Sequence, residues 1–252
     1  MKKLFGNIIG LRKKIRDKKK KAKHEKSKTK YMSARAKQNT KKNTEKKDDE
    51  YIFVVLVKTY TGLGRILRII QGCEYTHIAV CFPEDTGEFV SFSRKYRYNP
   101  FVAGVVHERT EHYAFGHHKS VKMKIFKVPV RDIALIKEYV DYVEHDEEFL
   151  FNHFSIATMP ILHGVKIYKS HNCMSFVARI LKMSGTVKLD KPFYKYNIKD
   201  IDGLLTDYLF KEDFFEKKND TPDEYMRKFP KLTLFYEFIE MNYKLIRRKI
   251  SG

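Results

Sequence analysis

The chain has 252 residues, 42% of them hydrophobic, which is enough for one sizeable domain and an added module. Three cysteines in this length exclude a disulfide-stapled scaffold and suit a reducing compartment. The net charge of +20 is uneven: residues 1–50 hold 20 Lys/Arg against 6 Asp/Glu, a local +14.

The first twenty residues, MKKLFGNIIGLRKKIRDKKK, do not resemble a signal peptide, because the apolar stretch is short and runs into lysines. Leu4, Phe5, Ile8, Ile9, Leu11 and Ile15 approximate a helical stripe among basic residues, a pattern suited to an anionic membrane or an acidic partner. Residues 17–50 are nearly free of large apolar groups, so burial cannot offset their ordering entropy and a disordered basic tail is expected. No apolar run reaches the roughly 18–20 residues of a membrane span. The expected location is cytoplasmic, with contact to a membrane surface or another polyanion through residues 1–50.

Composition changes at Tyr51. YIFVVLVK (51–58) has the length and continuity of a buried strand. RILRIIQG (65–72) reads as a short helix, and EYTHIAVCF (74–82) and EFVSFS (88–93) as strands joined by the turn PEDTG (83–87). RKYRYNPFVAGVVHERT reads as a loop, SVKMKIFKVPV (120–130) as a strand, and 131–145 as a helix. SHNCMSFVARIL (170–181) predicts an amphipathic helix capped by Asn172 and stopped at Gly185. An extended piece with a short helix follows, and 232–250 predicts a long helix with a basic end. Strands and helices in this order indicate an α+β fold. The expected division is a tail (1–50), a catalytic domain (51–210) and a C-terminal helical extension (211–252).

Cys173 falls in the first turn of its helix, where unpaired N–H groups and the helix dipole favour a thiolate. A nucleophilic cysteine needs a proton acceptor, usually a distant histidine. His77 is the candidate, because it lies inside a strand among core positions, where a polar ring has to find a partner. With a five-residue turn, Ser93 and Ser91 fall on the His77 face, and Ser91 is the expected third member that orients the imidazole, ahead of Ser93 and Glu88. Arg94 and Lys95 follow as candidate anion-binding, substrate-contacting residues. Cys73, His77 and Cys81 recur at spacing four, but on a strand they spread too far to share zinc, and no C-x₂-C pair is present. No metal and no cofactor are expected.

YTHIAV, EFVSFSRKYRYNPF and HNCMSFVARIL together resemble the circularly permuted papain-like hydrolases related to the NlpC/P60 peptidases of bacteria and phages, with motifs of the form YSHVSI, YSFGRK and CSQFVA. The resemblance covers about residues 51–205. It implies a permuted papain-like fold, an antiparallel sheet packed against the nucleophile helix with further C-terminal helices, in which a strand histidine precedes the helix-start cysteine. It further implies a thiol-dependent peptidase, amidase or acyltransferase acting on an amide or ester substrate through Cys173 and His77. Two positions depart from those motifs: Met174 and Ser175 follow the nucleophile where Ser and Gln would stand, and Ser93 replaces a glycine. The alternative is a non-enzymatic binding protein whose basic tail contacts membrane or nucleic acid.

Overall fold

The computed structural model describes residues 50–60, 72–85, 87–162 and 164–251, all within one compact unit, Asp49–Gly252. The expected basic tail lies outside the described residues except for Glu50, and the helix expected at 65–72 except for Gly72. Among the described residues no helix is long and apolar enough to cross a membrane.

The fold is α+β. Six strands form one sheet in the order β4-β3-β2-β1-β5-β8, every neighbour antiparallel. β1 (Tyr51–Val57) lies inside the sheet, between β2 (His77–Cys81) and β5 (Ser120–Pro129). That placement explains why YIFVVLV has no polar alternation: both faces of an inner strand are covered. Ile52, Val54 and Leu56 meet one core with Ile78, Val80 and Phe126, while Val55 and Val57 meet a second with Ala79, Cys81 and Met123.

β2 turns into β3 (Phe89–Tyr96) through residues 82–88, where Asp85 donates its N–H to the Phe82 carbonyl and Glu88 to that of Asp85. Val80 pairs with Val90, the register a five-residue turn predicts. The stretch expected as a loop contains instead β4 (Asn99–Glu108), a ten-residue strand paired along β3. Pro100 and Gly104 disguise it in sequence. Pro100 is exposed on an edge strand, where a missing N–H costs little.

A short α1 (Thr110–Tyr113) follows, then β5 and α2 (Ile133–His145), whose Asp132 cap accepts from the Leu135 N–H at 3.0 Å. β6 (Leu150–Phe151) and β7 (Ser170–His171) make a small parallel pair flanking α3 (His153–Leu162).

α4 (Cys173–Ser184) begins and ends where the sequence predicts. The Asn172 side chain accepts from the Ser175 N–H at 2.8 Å, and the Ser175 hydroxyl accepts from the Asn172 N–H at 3.0 Å. Gly185 stops the helix in the left-handed region at φ 70°. The α4 side chains Phe176, Val177, Ile180 and Leu181 are fully buried, and the helix packs across β2 and β3.

The C-terminal segment is not purely helical. After α5 (Ile198–Leu204), the chain forms β8 (Leu209–Glu216), which extends the sheet beyond β5. Only Lys231–Ser251 is helical at the end, as α6. The expected boundary after residue 210 therefore cuts a strand of the main sheet.

Candidate active site

The site is built where β2 begins, where β4 ends and where α4 starts. His77 is the first residue of β2. Glu108 is the last of β4 and pairs with Phe89. Strand alternation then puts Glu108 on the same face as Ser91 and Ser93 of β3, next to the strand that carries His77.

Glu108 collects four donors. His77 Nε2 lies 2.7 Å from its Oε2. Ser91 Oγ donates to the same oxygen at 2.6 Å and the Tyr113 hydroxyl at 2.8 Å. Ser93 Oγ donates to Oε1 at 2.9 Å. The carboxylate is buried, 4% exposed, so these bonds replace the water it has lost.

The Cys173 thiol lies beside the imidazole, near enough to raise its proton affinity. Cys173, His77 and Glu108 line one cleft of about 140 Å³.

The electrostatics follow from this geometry. Burial opposes charge on His77, but the Glu108 charge, the neighbouring Cys173 and the hydrogen bond to Glu108 outweigh it, so the imidazole is pushed up to about 10. Burial also opposes charge on Glu108, and the His77 charge, with bonds from His77, Ser91 and Tyr113, overcomes it and draws the carboxyl down to about 2. The pair is an imidazolium facing a carboxylate.

The structure brings together Cys173 and His77, the two residues first singled out. The partner of the imidazole is Glu108 rather than Ser91. Ser91 lies on the expected face, but its hydroxyl serves Glu108, as does that of Ser93. Glu88 points elsewhere and holds His107 at 2.7 Å. Glu108 escapes sequence reasoning because the stretch that carries it reads as a loop. The signal that marks it is the run of β-branched Val102, Val105 and Val106 just before it.

Arg94 and Lys95 part company. Adjacent strand residues project to opposite faces. Arg94 is half-buried, lines the cleft and lies near the Tyr225 phenol. Lys95 is exposed and its side chain lies over Gly104 instead. Tyr225, from the stretch between β8 and α6, also lines the cleft, and its carbonyl accepts from the Arg97 N–H at 2.8 Å. The segment assigned to a separate extension thus walls the site.

The other cysteines have different surroundings. Burial raises the thiol values of both Cys73 and Cys81, and no histidine contributes to either shift.

No family model, curated protein or solved structure matches this chain.

Proposed function

We propose that the protein is a cysteine-dependent hydrolase or acyltransferase on a permuted papain-like fold, acting on an amide or ester bond. The observation that carries this reading is a single buried imidazole bonded to the Glu108 carboxylate and facing the same cleft as the Cys173 thiol. A cysteine, a histidine and an orienting acid in that order form the arrangement thiol acyl transfer requires.

The chemistry proceeds in two halves. His77 holds the proton from Cys173, and the sulfur attacks the carbonyl carbon of the substrate. The N–H of Cys173, at the first helical position of α4, has no intrahelical acceptor and is directed at the developing oxyanion. The imidazolium then protonates the leaving amine or alkoxide as the carbon–nitrogen or carbon–oxygen bond breaks. His77 next removes a proton from water or another acceptor, which attacks the thioester carbon and regenerates the thiol. Glu108 stays ionised throughout and fixes the ring. Arg94 is the cationic group available to an anionic part of the substrate.

Iodoacetamide labelling followed by peptide mass mapping tests the reading. Cys173 is expected to react at least about tenfold faster than Cys73 or Cys81 at neutral pH, and His77→Ala is expected to remove that advantage. Slow labelling of all three thiols, indifferent to His77, would return the cleft to a ligand-holding role.

A further inference from the structure

We propose that α6 is a membrane-surface helix that lays its outer face on a bilayer bearing anionic headgroups. The helix runs Lys231–Ser251 and is fixed to the body by one side only. Met241 and Leu245 are buried with Ile167, and Phe238 packs edge-on against Phe101. Glu237 accepts from the Asn99 amide at 2.6 Å, and Arg248 donates to the Glu148 and Lys169 carbonyls at 2.6 and 3.1 Å.

The opposite side is apolar and bare. Leu232, Tyr236, Ile239, Tyr243, Ile246 and Ile250 recur at alternating spacings of four and three, a continuous seam along the helix. All six are exposed, from 49% at Ile239 to 81% at Ile250. Burial among the described residues does not explain an unbroken row of large side chains.

Charge selects the occupant. Lys231, Lys244, Arg247 and Lys249 are exposed around the seam. The acidic Glu240 beside it is paired with Lys244 at 2.6 Å. A second copy paired in parallel on this face would align Arg247 and Lys249 with their own equivalents, like charge against like. A bilayer rich in anionic lipid accepts the apolar row and neutralises its rim together. The two tyrosines suit that depth, with rings among the acyl chains and hydroxyls at the headgroups. The seam is also oriented by the body, because the inner contacts of α6 leave it no freedom to turn inward.

The natural chain has no tryptophan, so Tyr243→Trp in the full-length protein gives a probe of this face alone. It is titrated with phosphatidylcholine vesicles, with and without about one-third phosphatidylglycerol. The expected result is a blue shift of emission and quenching by brominated acyl chains with the anionic vesicles, and roughly tenfold weaker binding when Ile246→Glu is added. An unchanged tryptophan spectrum overturns the proposal, even where the protein still pellets with the vesicles through its basic N-terminal residues. A lipid-independent shift that grows with protein concentration, with a dimer in sedimentation, also overturns it and assigns the seam to a second copy.

Discussion

Two histidines buried in this molecule meet opposite fates. Burial, with Arg179 nearby, pushes His171 down to about 3, and its Nε2 lies 2.8 Å from the Tyr139 hydroxyl while Phe149 stacks on the ring. His77 suffers the same loss of water but faces Glu108, and its charged form wins. Carbon-13 and nitrogen-15 spectra of the imidazoles should therefore show His77 still protonated at pH 8 and His171 still neutral at pH 5. Titration of His77 near 6.5 would contradict the ion pair. The stability consequence has a definite sign. Raising the histidine value contributes stability that is complete below its ordinary 6.5 and lost as pH rises through about 10. Lowering the carboxyl value contributes stability present above its ordinary 4.5 and lost as pH falls towards about 2. Glu108→Gln is therefore expected to destabilise the fold most between pH 4.5 and 6.5, by about 3–5 kcal/mol. Denaturant unfolding of both proteins across pH measures it, and a difference that does not vary with pH would argue against the pair.

At the scale of elements, α4 was the most legible part of the chain. Asn172, Gly185 and the spacing of its apolar residues mark its start, end and buried face by local chemistry. Asn172→Ala is expected to cost about 1 kcal/mol through the lost bond to the Ser175 N–H. Because the cap sets the backbone just before Cys173, the same substitution should also slow alkylation of that thiol. Thermal melts and labelling rates read the two effects separately, and a melt unchanged by the substitution would remove the cap from the account. The β2–β3 register was legible for a similar reason, since the length of the 83–87 turn decides which residues share the His77 face. β4 was not. A strand holding Pro100 and Gly104 lacks a clean period, and it is recognised only by pairing with β3, which is a long-range fact. The loss of β4 concealed Glu108 and shifted its role onto Ser91. β8 was hidden for the same kind of reason: FKEDFFE has a strand's aromatic residues and a surface segment's charges, and only β5 beside it settles the matter.

Over the whole molecule, charge and fold are separable. Residues 1–48 carry 20 of the basic residues and 4 of the acidic ones, so removing them lowers the formal charge from +20 to +4. The compact unit begins at Asp49. Deletion of 1–48 is expected to shift the melting temperature by less than about 2 °C and to lower the salt needed to elute the protein from a heparin column. A large loss of stability would mean that these residues support the core. The sheet itself has an order of assembly written into its connections. β2, β3 and β4 follow one another through short turns, so His77, Ser91, Ser93 and Glu108 lie within one local meander. Cys173 comes 65 positions after Glu108, across three strands and three helices. Contacts close in sequence form early and distant ones late. A chain leaving the ribosome thus exposes His77 and Glu108 well before Cys173, and the thiol meets the imidazole only once α4 has docked on the sheet. Half-made copies of this protein hold a paired imidazole and carboxylate with no sulfur beside them.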